Sequence, residues 1–158
     1  MFVTNHVLSG VLIGRGLRRW PVAAFVAGVG SHLVLDAIPH WGCNTMVEGG
    51  SERFLRAART DGLLGLAAIG VATLAVDRRD RPATMAAMAG AALLDLDKPF
   101  LHFLEVNPFP KRVIRLHMRI QNESEDRMPN EIVFGVVFTA LDGLVTYLGR
   151  REGTRSTG

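Results

Sequence analysis

The chain has 158 residues, a formal net charge of +3, 48% hydrophobic residues and 21% charged residues, and its mean hydropathy is +0.21. This length suits one domain with its own core, and the mean hydropathy is high for a soluble domain. The single cysteine, Cys43, excludes an internal disulfide and a cysteine zinc knuckle. The arginines form no basic stripe with interleaved aromatic residues, so we expect no nucleic-acid partner.

The apolar segments predict five helices, the second of which is the best membrane span. It is bracketed by Trp20 and Trp41, which would lie about 31 Å apart on a helix and so place one aromatic residue at each bilayer interface. The first predicted helix is short for a span, and the third and fourth are near the lower limit. The predicted helices cover roughly residues 3–16, 20–40, 60–76, 82–98 and 130–148. We therefore expect an all-α fold, an up-and-down bundle of about five transmembrane helices.

Residues 1–150 form a single predicted domain, and the polar tail 151–158 is expected to be disordered. Within the domain, residues 99–130 are predicted to lie outside the membrane or at its surface. This segment contains KRVIRLHMRI, an amphipathic sequence of the kind that lies flat on a bilayer. The loop sequence SERFLRAAR has a similar pattern.

The basic residues predict the orientation in the membrane. RGLRR, DRRDR and GRRE follow the first, third and fifth predicted helices, so alternating helices place all three clusters on one side. The positive-inside rule makes that side cytoplasmic. We therefore expect an integral protein of the bacterial cytoplasmic membrane, with the lipid bilayer as its partner and the opposite rim on the extracytoplasmic side. Further arginines in the two outer segments weaken this charge asymmetry.

Polar residues of every predicted helix meet at that opposite rim. His32, Asp36 and His40 are four residues apart, so a helix would stack them on one face. Up-and-down order brings the polar ends of the other helices to the same place, and ionisable residues in apolar helices usually face the bundle interior and serve a function. The additional rim residues are Asn5, His6, Asp61, Asp95, Asp97, Asn130 and Glu131.

These residues predict a divalent metal site. The candidate metal ligands are His6, His32, Asp36, His40 and Asp95. Histidines with carboxylates suit Zn²⁺, Mn²⁺ or Fe²⁺, with zinc favoured, whereas a set dominated by carboxylates would suit Mg²⁺. Asp61 and Asp97 are the candidate catalytic carboxylates, and the candidate substrate-binding residues are Arg53, Arg56, His102 and Glu131. Arginine pairs well with the oxygens of a phosphate group.

Structural interpretations of the same residues stay open. His32 and Asp36 could form a buried hydrogen-bonded pair without a metal, and Asp61 could simply stabilise a helix N-terminus through its dipole. His40 follows Pro39, so it could lie past the helix end, at the interface. His6 could be a surface residue.

Three further residues have alternatives of their own. Asp95 and Asp97 are two apart, so they cannot face the same way unless the helix has already ended. Asp142 lies towards the opposite end of its helix, where we expect a structural or interhelical role. His117 could close over the site or could be an ordinary surface histidine.

Two short motifs resemble those of a known family. TNHVLSGVLIG followed by SHLVLDAIPHWG resembles the bacterial membrane-bound metal-dependent hydrolases, which are YdjM-like multi-pass proteins loosely grouped with zinc-dependent phospholipase C. His32 and Asp36 match the family's Ser-His-x-x-x-Asp element, and His6 matches its N-terminal histidine. In LLDLDKP, Leu94 and Lys98 replace the proline and histidine of the Pro-Asp-x-Asp-His element, and the order of the elements differs. The resemblance covers the first 45 residues and implies a metal site more directly than a reaction.

Three functions follow from these patterns. The leading hypothesis is a membrane-embedded, metal-dependent hydrolase that acts on a phosphoester or lipid-like substrate. An alternative is a Mg²⁺-dependent enzyme acting on prenyl diphosphates, similar to a terpene synthase or prenyltransferase, in which LLDLDKP and QNESED would hold the diphosphate. A non-enzymatic protein that binds or transports a metal ion is the third hypothesis. The oligomeric state is not predicted by any of these patterns.

Overall fold

The computed structural model describes residues 1–42 and 52–155, without the side chains of Arg53 and of residues 150–155. The α-helices are α1 (Val3–Gly16), α2 (Pro21–Ala37), α3 (Glu52–Ala75), α4 (Arg81–Ala92), α5 (Asp97–Leu104), α6 (Lys111–Ile120) and α7 (Met128–Arg155). Two-residue strands, β1 (His40–Trp41) and β2 (Glu123–Ser124), pair in parallel. The predicted all-α class is confirmed. Cys43 lies outside the described residues.

The helix boundaries differ from the predicted ones mainly around prolines. α2 ends at Ala37 because Pro39 disfavours a helical conformation in the residue before it. The fourth predicted helix is broken: α4 ends at Ala92, a 3₁₀ turn covers Leu93–Leu96, and α5 then carries Pro99 in its first turn. A proline is tolerated there because the first N–H groups of a helix have no intrahelical partner.

The two remaining differences lengthen helices. α3 begins at Glu52, so most of the SERFLRAAR segment is the start of α3 and does not form a separate surface helix. α7 continues to Arg155, inside the segment predicted to be a disordered tail. Residues 156–158 lie outside the described part of the chain.

The inner part of the bundle is formed by α1, α2 and α4, which pack backbone against backbone. A Cβ atom added to Gly28 would overlap the carbonyl oxygen of Ala87, and one added to Gly90 would overlap that of Phe25. Gly14 lies equally close to the backbone of Thr84. Small residues permit this close approach, as they do between membrane helices. α1 is central, since it also contacts α3 and α7.

The outer helices expose apolar side chains. Two helical segments, Phe54–Ala75 and Glu125–Gly149, are long and apolar enough to cross a membrane. In their most apolar windows, 17% of the residues are buried in the first segment and none in the second. Leu74 is 78% exposed and Val136 is 64% exposed. α2 is also apolar, but with 17 residues it is shorter than these two segments.

Candidate metal centre

Asp36 is the centre of a buried cluster of histidines at one rim of the bundle. It lies in the last turn of α2 and is fully buried. Its Oδ2 atom is 2.8 Å from Nε2 of His117 and 3.2 Å from Nε2 of His32, and these two nitrogens are 3.0 Å apart. Ligand atoms bound to one zinc ion in a tetrahedral arrangement lie about 3.3 Å apart. The three atoms therefore have nearly the spacing of a metal-binding triangle.

The orientation of His32 also suits a metal ligand. Its Nδ1 atom is 2.6 Å from the carbonyl oxygen of Ala91. A carbonyl oxygen only accepts hydrogen bonds, so Nδ1 carries a proton, and in the neutral ring Nε2 carries the lone pair. Metal-bound histidines are commonly held in this way, with the second ring nitrogen bonded to a carbonyl or carboxylate. In this form His32 directs an acceptor atom towards Asp36 and His117. Acceptor atoms repel one another, so a proton or a metal cation between them is needed to hold them at these distances.

His6 and Asp95 lie on another side of Asp36. Nε2 of His6, a fully buried residue, is 3.1 Å from Oδ1 of Asp36 and 3.7 Å from Oδ2 of Asp95. The other oxygen of Asp95 accepts a hydrogen bond of 2.6 Å from Nζ of Lys98. Oδ2 is buried and has no hydrogen-bond partner among the described residues. The ligand atoms of His32, Asp95 and His117 also lie within 4.8 Å of one another, so Asp95 is near both groups of histidines.

Lys98 keeps Asp95 ionised. Burial alone would raise the pKa of Asp95, but the charge of Lys98 and smaller effects of His6 and His32 outweigh burial and lower this pKa below its ordinary value. Burial alone would lower the pKa of Lys98, but Asp95 and Asp97 outweigh it and raise that pKa. Burial, assisted by Asp95, raises the pKa of Asp97. The Lys98 Nζ atom is 3.8 Å from Oδ1 of Asp97, an atom without a hydrogen bond among the described residues.

His40 reaches the cluster from the short β1–β2 pair, where it is opposite Glu123. Its Nδ1 atom is 2.8 Å from the carbonyl oxygen of Ile38. Its Nε2 atom is 4.0 Å from Oδ1 of Asp36 and 3.6 Å from Oε1 of Glu123. The amino group of Met1 also contacts Oδ1 of Asp36, at 2.7 Å. His40 therefore lies past the helix end, as Pro39 indicated, and its ring is nevertheless fully buried beside Asp36.

Asp61 and Glu131 occupy the same rim but bind the chain itself. The carboxylate of Asp61 accepts hydrogen bonds from the backbone N–H groups of Val3 and Thr4, at 2.7 and 3.0 Å. Glu131 accepts hydrogen bonds from the N–H groups of Phe2 and Trp41, and from the side-chain amide of Asn5. The two acids thus satisfy N–H groups at the start of α1, which have no intrahelical partner. A catalytic role for Asp61 and a substrate-binding role for Glu131 stay predictions.

The remaining candidate substrate-binding residues lie at the surface. Arg56 is exposed on α3 and lines a surface groove with Arg59. His102 is exposed on α5, where its ring packs edge-on against Phe103. No described contact joins Arg56 or His102 to the buried cluster, and the side chain of Arg53 lies outside the described residues.

His117 is the cluster residue to which the sequence analysis gave no definite role. It lies on α6, where Val113, His117 and Ile120 turn towards the protein while Arg115 and Arg119 are exposed. A histidine in the middle of the apolar face of an amphipathic helix is the signal that could have identified it.

Comparison of the chain with protein-family models, with curated proteins and with solved structures finds no match. The cluster is therefore interpreted from its own geometry. Its described residues bring together four histidines and three carboxylates: His6, His32, His40 and His117 with Asp36, Asp95 and Glu123.

Proposed function

We propose that this chain is a membrane-embedded, metal-dependent hydrolase that acts on a phosphoester of a lipid-like substrate. The observation that carries the proposal is the triangle of Asp36 Oδ2, His32 Nε2 and His117 Nε2, with edges of 2.8, 3.0 and 3.2 Å. Two imidazoles and a carboxylate are a ligand set that suits Zn²⁺, although Mn²⁺ and Fe²⁺ accept similar ligands. Catalytic zinc sites usually have three protein ligands and one open position.

The reaction class follows from the chemistry that such a centre supplies. A bound divalent ion polarises a phosphoryl oxygen and activates water at neutral pH. The chain contributes the orientation of the ligands, since Ala91 holds the ring of His32. Lys98 is 30% exposed and already bonded to Asp95, so its ammonium group is suitably placed to pair with a phosphate oxygen near the centre.

The membrane location is supported by the exposed surface of the helices. The apolar faces of α3 and α7 are large exposed patches, which in soluble proteins are normally covered by a partner. Arg18, Arg19 and Arg79 line one groove between the α1–α2 and α3–α4 connections. If this end is cytoplasmic, as the positive-inside rule suggests, the metal centre lies at the extracytoplasmic rim.

The resemblance to the membrane-bound metal-dependent hydrolases supports the same proposal. His6, His32 and Asp36, the residues that carry the resemblance, are all buried in the cluster. The LLDLDKP element, which departs from the family pattern, also lies near the cluster, because Asp95 faces His6 and Lys98 binds Asp95.

Metal analysis of protein purified in detergent tests the proposal. After incubation with zinc and removal of loosely bound ions, wild type should retain stoichiometric zinc and hydrolyse a chromogenic phosphoester or a phospholipid. His117→Ala should lose the ion that the triangle holds, and activity with it, because the substitution removes one corner of the triangle. His102→Ala is the matched control, since this histidine is exposed, and it should behave as wild type. Absence of stoichiometric zinc, manganese or iron in folded wild type would contradict the proposal.

Activity on prenyl diphosphates is the corresponding test of the alternative enzyme class. Release of pyrophosphate with Mg²⁺, in a protein that does not retain zinc, would replace the hydrolase proposal. The four buried histidines favour the hydrolase, because Mg²⁺ prefers oxygen ligands.

A further inference from the structure

The two oxygens of Asp36 face different histidines. Oδ2 faces His32 and His117, at 3.2 and 2.8 Å. Oδ1 faces His6 at 3.1 Å and His40 at 4.0 Å. A carboxylate with nitrogen ligands on both sides has the arrangement of a group that bridges two metal ions.

The ring geometry separates His6 from the triangle around Oδ2. The rings of His6 and His32 are stacked, with centroids 4.0 Å apart and planes only 22° from parallel. An ion bound to a histidine lies close to the ring plane, about 2.0–2.1 Å from the nitrogen. Two stacked rings therefore cannot both bind the same ion in their planes, although their nitrogens are close. The rings of His32 and His117 are inclined at 51°, so their planes cross and can share one ion.

His40 is oriented in the same way as His32. Its Nδ1 atom is within hydrogen-bonding distance of the Ile38 carbonyl oxygen, so Nδ1 carries a proton, and in the neutral ring Nε2 carries the lone pair. This Nε2 atom is buried and has no hydrogen-bond partner among the described residues, and the whole ring is fully buried. A buried acceptor without a partner is costly, and a cation between it and the nearby carboxylates would remove that cost.

We propose that Asp36 bridges two divalent metal ions. The first ion is the one held by Asp36 Oδ2, His32 and His117. The second would be held by Asp36 Oδ1, His6 and His40, with Asp95 near His6 at 3.7 Å and Glu123 near His40 at 3.6 Å. The inference rests on the proposed function in one respect: the second ion shares Asp36 with the ion of the proposed metal centre.

The charges around Oδ1 are consistent with a cation at this position. The main-chain nitrogen of Met1 lies 2.7 Å from Oδ1. The carboxylates of Asp95 and Glu123 add negative charge on the same side. A pair of ions would bind a phosphate group through two of its oxygens. The substrate class that fits best is therefore a phosphoester.

Metal stoichiometry and electron paramagnetic resonance test this inference. Purified wild type loaded with Mn²⁺ should contain two ions per chain and give the spectrum of an exchange-coupled pair. His6→Ala and His40→Ala should each reduce the content to one ion and give the spectrum of isolated Mn²⁺. His117→Ala should also retain one ion, held on the Oδ1 side, and the control His102→Ala should retain two. Circular dichroism in detergent checks that each variant keeps its helix content.

Three results would overturn the inference, and the first two of them leave the proposed function standing. One ion in wild type, lost in His117→Ala but kept in His6→Ala and His40→Ala, leaves the single metal centre and removes the second ion. Two ions without exchange coupling in wild type would exclude a shared Asp36, and this measurement does not depend on the folding of any variant. No bound ion in wild type would contradict both proposals.

Discussion

Two pairs of carboxylates at one rim of the bundle have opposite environments. Asp36 and Asp95 face imidazole nitrogens, whereas Asp61 and Glu131 accept hydrogen bonds from N–H groups around the start of α1. The difference shows that burial of an acid does not by itself indicate a metal ligand. What matters is whether the groups facing it are fixed N–H donors or atoms that can themselves bind a metal.

Among single substitutions at this rim, Asp36→Asn should have the largest effect on metal binding. The amide keeps the shape of the side chain but removes the negative charge between the histidines, so we expect zinc affinity to fall at least a hundredfold. Even changes to groups that only support metal ligands cost about 10–100-fold in affinity. Competition with a chromogenic chelator measures the affinity. An Asn variant that binds zinc as tightly as wild type would remove Asp36 from the metal centre.

Asp61→Ala should lower the stability of the protein without affecting metal binding. The substitution leaves the N–H groups of Val3 and Thr4 without their acceptors, and each such loss costs about 1–3 kcal/mol. We expect a lower melting temperature in detergent together with an unchanged metal content. Loss of metal at unchanged melting temperature would instead place Asp61 in the centre.

Asp142→Asn should have the smallest effect. Asp142 lies 2.6 Å from Nε of Arg15, and the two facing atoms are buried. The amide keeps the shape of the side chain and an acceptor oxygen, so we expect the free energy of unfolding to fall by about 1 kcal/mol. Thermal unfolding measures this loss, and metal content and hydrolysis should not change. A metal carrier would need polar groups along the bundle, so loss of zinc uptake into vesicles in this variant would favour transport.

The sequence was sufficient to predict the all-α class, the position of most helices and the stacking of His32 and Asp36 on one helix. It was not sufficient to distinguish the environment of Asp95 from that of Asp61, because both are acids near an end of a predicted helix. Asp95 faces His6 only because the chain tightens into a 3₁₀ turn after Ala92. Asp61 faces the start of α1 because of how α3 packs against that helix. Both outcomes depend on tertiary packing, which local periodicity does not contain.

The sequence left the role of His117 open for a related reason. Its partner Asp36 is 81 residues away in the chain, and the amphipathic pattern of α6 predicts a surface helix without saying which surface it covers. Asn122, just after α6, fixes this placement, since its N–H group donates to the carbonyl oxygen of Asp36 and its own carbonyl oxygen accepts from His40.

Because His117 lies on α6, the cluster is complete only when α6 packs against the inner helices. His6, His32, Asp36 and Asp95 all precede residue 96, whereas His117 is synthesised later and joins them only when α6 reaches α2. The Oδ2 triangle is therefore complete only when α6 packs against α2. An ion that binds there would hold α6 against the inner helices. Removal of the ion would allow α6 to separate while α1, α2 and α4 stay packed.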